Sequence, residues 1–212
     1  MNNRPHFAAL DESDPLRALR EQFCIDEGLI YLDGNSLGVL PRATQQRVSE
    51  VVAQQWGQGL IRSWNSAGWI HLAAKVGDKI AQLIGAQPGE VVAADSTSIN
   101  LFKVLAASMR IAQQRSAARV EIVTERGNFP TDLYMAQGLA QLCPQSTAVR
   151  MLERDEILSA LSDKTAVLML THVNYKTGQM WDMAAVTAAA QAQGALVIWD
   201  LAHSAGAVPV DL

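Results

Sequence analysis

Residues 195–200 read Ala-Leu-Val-Ile-Trp-Asp, and 201–209 continue Leu-Ala-His-Ser-Ala-Gly-Ala-Val-Pro. An apolar run closed abruptly by a carboxylate reads as a buried strand that delivers Asp200 at its carboxyl end. Comparable aliphatic, β-branched runs stand at 120–124 and 166–171, with one more at 91–94 and a weaker one at 148–151. Helical patterns separate them, over 98–114, 131–142, 156–161 and 183–193. This alternation predicts an α/β fold, an open sheet of strands covered on both faces by helices. Such sheets bind ligands outside the carboxyl ends of their strands, so four groups are read together: residues 95–98, 128–132, 171–175 and 200–203.

Ahead of the sheet, residues 1–13 read as a polar, mobile lead-in. Asp14-Pro15 supplies an N-cap and a first-turn proline for a helix over 16–26, stopped by Gly28. Residues 29–32 read as a short extended segment entering a turn at 33–36. Beyond Pro41, the residues Val48, Val51, Val52 and Trp56 recur at amphipathic-helix spacing. A third helix is expected over 71–84, ending at Gly85.

The 212 residues are 49% hydrophobic and 18% charged with a net charge of −4, enough to bury one substantial core and without a basic patch for nucleic acid or an anionic membrane surface. The apolar runs are too short to span a bilayer. The first residues lack the apolar stretch of a secretory signal, so a cytoplasmic location is the expectation. Cys24 and Cys143 form no CxxC pair and read as small buried hydrophobes. The histidines His6, His71, His172 and His203 show no metal-ligand spacing, and no metal site is expected.

Three of the four groups carry recognisable chemistry. In Asp95-Ser-Thr-Ser98, hydroxyls meet the N–H groups of a helix start, which suits either a phosphate or ordinary N-capping. No GxGxxG or GK[ST] accompanies them. In Gly127-Asn-Phe-Pro-Thr-Asp132, Phe129 and Asp132 could present a flat face and a charge to an aromatic ring, or simply open a helix. Asp200 on a strand end needs a partner, either a structural cation or a protonated pyridine nitrogen. Phosphate cradle, aromatic stacker and pyridinium-pairing carboxylate together describe pyridoxal phosphate.

Five segments carry a family resemblance: YLDGNSLGVLP at 31–41, DSTSINLFK at 95–103, GNFPTDLYM at 127–135, HVNYKTGQM at 172–180 and WDLAHSAGAVPVDL at 199–212. In this order they resemble kynureninase, a pyridoxal-phosphate enzyme of the aspartate-aminotransferase superfold. The resemblance implies fold type I, a three-layer sandwich around a mostly parallel mixed sheet, with residues 1–40 an N-terminal arm and active-site segment and 41–212 part of the large cofactor domain. It implies that Thr97 and Ser98 bind the phosphate, Phe129 stacks on the ring, Asp132 and Asp200 lie near the pyridine nitrogen, and Thr171 and His203 make further cofactor contacts. Ser36 and Trp64 are implied to line the substrate's aryl pocket. The family hydrolyses the Cβ–Cγ bond of kynurenine or 3-hydroxykynurenine, giving anthranilate or 3-hydroxyanthranilate and alanine, in tryptophan catabolism toward NAD. It is homodimeric.

The family's Schiff-base lysine is absent from the motifs present: Lys75, Lys79, Lys103, Lys164 and Lys176 match no such position, and the lysine is expected beyond Leu212. The sheet is then expected to be incomplete at its C-terminal end, with an unpaired edge that favours insolubility or a partner chain. The chain alone is expected to be inactive. Two alternatives stand beside this reading. One is a cysteine desulfurase or other class-V aminotransferase relative, and the other is a non-catalytic fragment that binds cofactor or a subunit.

Overall fold

The computed structural model describes residues 3–212. The chain forms two compact units, the first ending at Leu72 and the second running from Ala73 to Leu212. The first holds α1 (Arg4–Ser13), α2 (Arg42–Glu50) with a π turn at Val51–Trp56, and the short α3 (Ser63–Ser66). Ser63 is the buried residue among these elements, while Ile30, Leu32, Leu37, Trp56 and Ile61 are exposed.

Several expectations for this unit are corrected. The lead-in is helical over Arg4–Ser13, where Pro5 presets the first turn of α1, and residues 1 and 2 lie outside the described residues. The helix over 16–26 shrinks to a 3-10 turn at Arg17–Gln22, although Asp14 Oδ1 does accept from Leu16 N–H at its start. The face bearing Val48, Val52 and Trp56 is exposed within the unit rather than packed. Both cysteines are exposed. Cys143 caps the exposed end of a helix and Cys24 lies in a loop bonded to Leu40.

The helix α4 (Leu72–Ile84) starts at the last residue of the first unit and continues into the second, where it and α5 (Thr97–Arg115) precede β1 (Glu121–Glu125), α6 (Pro130–Leu142), β2 (Ala148–Leu152), β3 (Thr165–Thr171), α7 (Met183–Ala192) and β4 (Leu196–Asp200). The strands pair in the order β2-β1-β3-β4, and all three pairings are parallel. Every residue of β3 is buried, as a central strand covered on both faces requires.

Strand alternation sorts the core into two layers. Ile122, Ala166 and Met169 pack with Leu105 and Met109 of α5 and Ala136 and Leu139 of α6. Val123, Leu168 and Leu170 face the other way, onto Ile157, Trp181 and Val186 and Ala190 of α7. Helix, sheet and helix form the three layers of the expected sandwich.

Residues 91–94 are a correction: they are extended but pair with no strand. Ala93 N–H donates instead to Ala73 O on α4 at 3.2 Å. A Cβ on Gly77 would lie 1.9 Å from Val91 O, so a glycine is what lets helix and extended backbone meet. The helix over 156–161 is reduced to a 3-10 turn at Arg154–Glu156, fixed by a reciprocal capping box between Glu153 and Glu156.

Candidate active site

The strand order contains one reversal. From β1 the chain crosses through α6 to β2 on one side, and from β3 it crosses through α7 to β4 on the other. Ligands of open parallel sheets sit where the winding reverses, outside the carboxyl ends of the strands, here β1 and β3. Alternation decides which side chains face the same layer there. Thr124 follows Ile122, Thr171 follows Met169, and Asp200 follows Ile198, so all three point toward the α5 and α6 layer. Thr171 and Asp200 are also direct register partners on β3 and β4.

Asp132 reaches this group from the first turn of α6, which begins at Pro130. It is 1% exposed, and its Oδ2 is buried without a hydrogen-bond partner. Burial is the largest cause that pushes its carboxyl from 3.8 up to about 7, followed by the charge of Asp200 and by a hydrogen bond to it. Two ionised carboxylates leave the buried oxygen orphaned, whereas one shared proton gives it a partner. The basic side chains around the sheet are committed elsewhere: Arg126 to Glu153, Arg150 to Glu121, Arg154 to Glu125 and Lys103 to Asp95. Asp132 is therefore an acid whose ionisation is held up to about 7.

Above it lies an aromatic cluster. Phe129 is 38% exposed, with its ring edge-on to Tyr175 at 5.1 Å. Tyr175 in turn stacks on His203 at 6.4 Å. Lys176 Nζ lies 5.5 Å from the Tyr175 ring. Asp200 Oδ1 accepts from Ala202 N–H at 2.7 Å, which fixes the turn that carries His203. At the start of α5, Ser96 Oγ caps Ile99 N–H, Thr97 is exposed and Ser98 half-buried. Hydroxyls and first-turn N–H groups therefore stand together at this helix start, the arrangement that suits an anion.

Phe129, Asp132, Thr171, Asp200 and His203 thus gather at the carboxyl ends of β1, β3 and β4, and Thr97 and Ser98 open α5 of the same unit. Ser36 and Trp64 belong to the first unit. Ser36 Oγ donates to Asp33 Oδ1 at 2.8 Å within its turn, and Trp64 is exposed on α3. Two neighbours went unassigned in the sequence. Tyr175 joins Phe129 to His203, and Asn128 bonds Thr124, Thr171 and Phe129. The signal for Asn128 was a polar residue one step before the stacking aromatic, but an asparagine in a loop is ordinarily a turn former. His172 lies on the opposite face, against Trp199 at 6.0 Å.

A parallel α/β sheet with a winding reversal, a helix start rich in hydroxyls and paired carboxyls at the strand ends marks the unit as a ligand-binding α/β fold, and the chain belongs to the aminotransferase class-V family, whose model matches residues 30–212. Kynureninase from Pseudomonas fluorescens is 57% identical across 100% of this chain and 51% of the relative. Kynureninase from Burkholderia pseudomallei (strain 1106a) is 54% identical with the same coverage. The resemblance carried by the five motifs therefore extends along the whole chain, which spans about half the length of the curated relatives it matches. Among solved structures, a C-DES mutant with glycine covalently linked to its PLP cofactor superposes with a TM-score of 0.71 at 18% identity, covering 91% of this chain and 51% of that one. That likeness confirms the fold.

Proposed function

We propose that this chain forms the cofactor-cradling part of a pyridoxal-phosphate-dependent kynureninase. The enzyme hydrolyses L-kynurenine or 3-hydroxykynurenine at the Cβ–Cγ bond, giving anthranilate or 3-hydroxyanthranilate and L-alanine. The observation that carries the reading is the pairing of buried Asp132, with its orphaned oxygen, and half-buried Asp200 at the strand ends. A protonated pyridine nitrogen matches it in charge and as a donor. Thr97 and Ser98 would hold the phosphate, Phe129 the ring face, and Thr171 and His203 the ring's substituents.

When bound, pyridoxal phosphate supplies an electron sink for the charge that develops on the substrate. Asp200 keeps the proton on the pyridine nitrogen. Asp132, protonated near neutrality, can share or release its own proton when a cation arrives. Phe129, Tyr175 and His203 would offer their rings to the cofactor at this end of the sheet. Ser36 and Trp64 are the proposed contacts to the substrate's aryl group.

None of the chain's lysines is proposed as the covalent anchor. Lys103 is held by Asp95 and Lys176 lies over Tyr175. Lys164 precedes β3 at its amino end, and Lys75 and Lys79 lie on α4. The anchor is proposed to lie outside the residues given, and the chain alone is proposed to be inactive. Residues 1–40 act as an arm and active-site segment, and 41–212 as part of the large domain of a cytoplasmic homodimer. No described helix is long and apolar enough to cross a membrane.

The test is to load the intact protein with pyridoxal phosphate and offer L-kynurenine and L-cysteine in parallel. Anthranilate fluorescence from kynurenine supports the proposal. Sulfur release from cysteine without anthranilate favours a desulfurase, and cofactor binding with neither product favours a non-catalytic fragment.

A further inference from the structure

We propose that Asn128 is a positioning residue of this site: it turns the Thr171 hydroxyl so that Thr171 offers a bound ligand an acceptor and never a donor. The inference rests on the reading that the site holds pyridoxal phosphate.

Asn128 is 4% exposed at the carboxyl end of β1. Its Oδ1 accepts the backbone N–H of Phe129 at 2.7 Å. A backbone N–H can only donate, so this contact fixes which end of the amide is oxygen. Thr171 Oγ1 bonds the same Oδ1. Having one hydrogen, and facing an oxygen that has none, the hydroxyl must spend that hydrogen there. The amide nitrogen donates to Thr124 Oγ1 at 3.2 Å, and Asn128 N–H donates to Glu125 O at 3.1 Å. Thr124 and Thr171 are buried as well.

This junction ties the ends of β1 and β3 together at the winding reversal. It has two consequences for a ligand. What remains of the Thr171 oxygen is lone pairs, which welcome a ring hydroxyl or a protonated nitrogen and repel an ionised oxygen. The backbone of Phe129 is pinned by the same oxygen, so the stacking ring and the polar contact are set by one side chain.

The test measures cofactor affinity on the intact protein by absorbance titration, with pyridoxal phosphate and with its ring-hydroxyl methyl ether, which lacks that donor. The wild type is expected to prefer pyridoxal phosphate by about tenfold, the worth of one hydrogen bond. Thr171→Val and Asn128→Ala lose the preference, and Thr171→Ser keeps it. Asn128→Asp keeps it too, because a carboxylate oxygen accepts the same two hydrogens. If Asn128→Ala does not fold, the contrast between Asn128→Asp and Thr171→Val decides. Undiminished preference in Thr171→Val or in folded Asn128→Ala overturns the proposal, as does its loss in folded Asn128→Asp. A wild type that binds pyridoxal phosphate without preference overturns this inference alone, whereas a wild type that binds neither compound overturns the functional reading beneath it.

Discussion

Asp132 is an acid kept from water beside another acid, and that makes the protein's stability depend on pH. Its carboxyl rises from 3.8 in the free chain to about 7 in the fold, by burial first and by Asp200 second. The unfolded chain releases its proton near pH 4 while the folded one retains it. Stability from this group is therefore complete at low pH, declines as pH rises through that window, and levels off above the folded value. The cofactor-free protein is expected to unfold at lower urea at pH 8 than at pH 5, by roughly 1–4 kcal/mol if this group acts alone. Asp132→Asn, which carries no titrating proton, should flatten the slope, and an unchanged slope would dismiss this account. Pyridoxal phosphate at saturation should flatten it as well, because a cation beside the two carboxyls favours the ionised pair.

At this scale the sequence was informative where a residue type has few other uses. Asp200 on a strand end, Phe129 before a proline and the Thr97–Ser98 hydroxyls could each be proposed from local chemistry. Asn128 and Tyr175 could not, because their importance lies in partners far along the chain. Asn128 meets Thr171 across two strands, and Tyr175 meets His203 across α7 and β4.

Elements followed the same division. β1, β3, β4, α5, α6 and α7 were legible because each is a long apolar or amphipathic run with clear stops. Residues 91–94 have a strand's composition but no ladder, since their backbone turns to α4. Propensity describes a segment, and pairing belongs to its surroundings. Gly77 makes that departure possible. In Gly77→Ala the new Cβ would come 1.9 Å from Val91 O, and backbone on both sides leaves no flexible atom to yield. A loss of about 1–3 kcal/mol in urea unfolding is expected. Because residues 95–98 follow this segment directly, phosphate affinity should fall with it. A variant as stable as the wild type would show that α4 and the segment separate freely.

For the whole molecule, the contrast between the units is the main fact. The second has two core layers around β3, and the first buries Ser63 among its helices. Hydrogen exchange should then be slowest at β3 and β1 and fast throughout α1 and α2. Equal protection in both units would contradict this. The lysines provide a second test. After loading the 212-residue chain with pyridoxal phosphate and reducing with borohydride, peptide mapping should find no lysine labelled in preference to the rest. Selective labelling of Lys176, the lysine beside the aromatic cluster, would place the covalent anchor inside this chain and refute the proposal that it lies elsewhere.

The position of Asp200 also bears on how the molecule is born. β4 lies at one border of the described sheet, and its carboxylate is what turns a single buried acid into a repelling pair. During synthesis β1, β2 and β3 emerge first and can assemble around a comfortable, protonated Asp132. Docking of β4 then sets the Asp200 carboxylate beside it and raises the cost of its losing that proton. A protonated ring nitrogen placed between the two carboxylates would offset that cost, so the proposed cofactor is expected to favour the docked position of the strand.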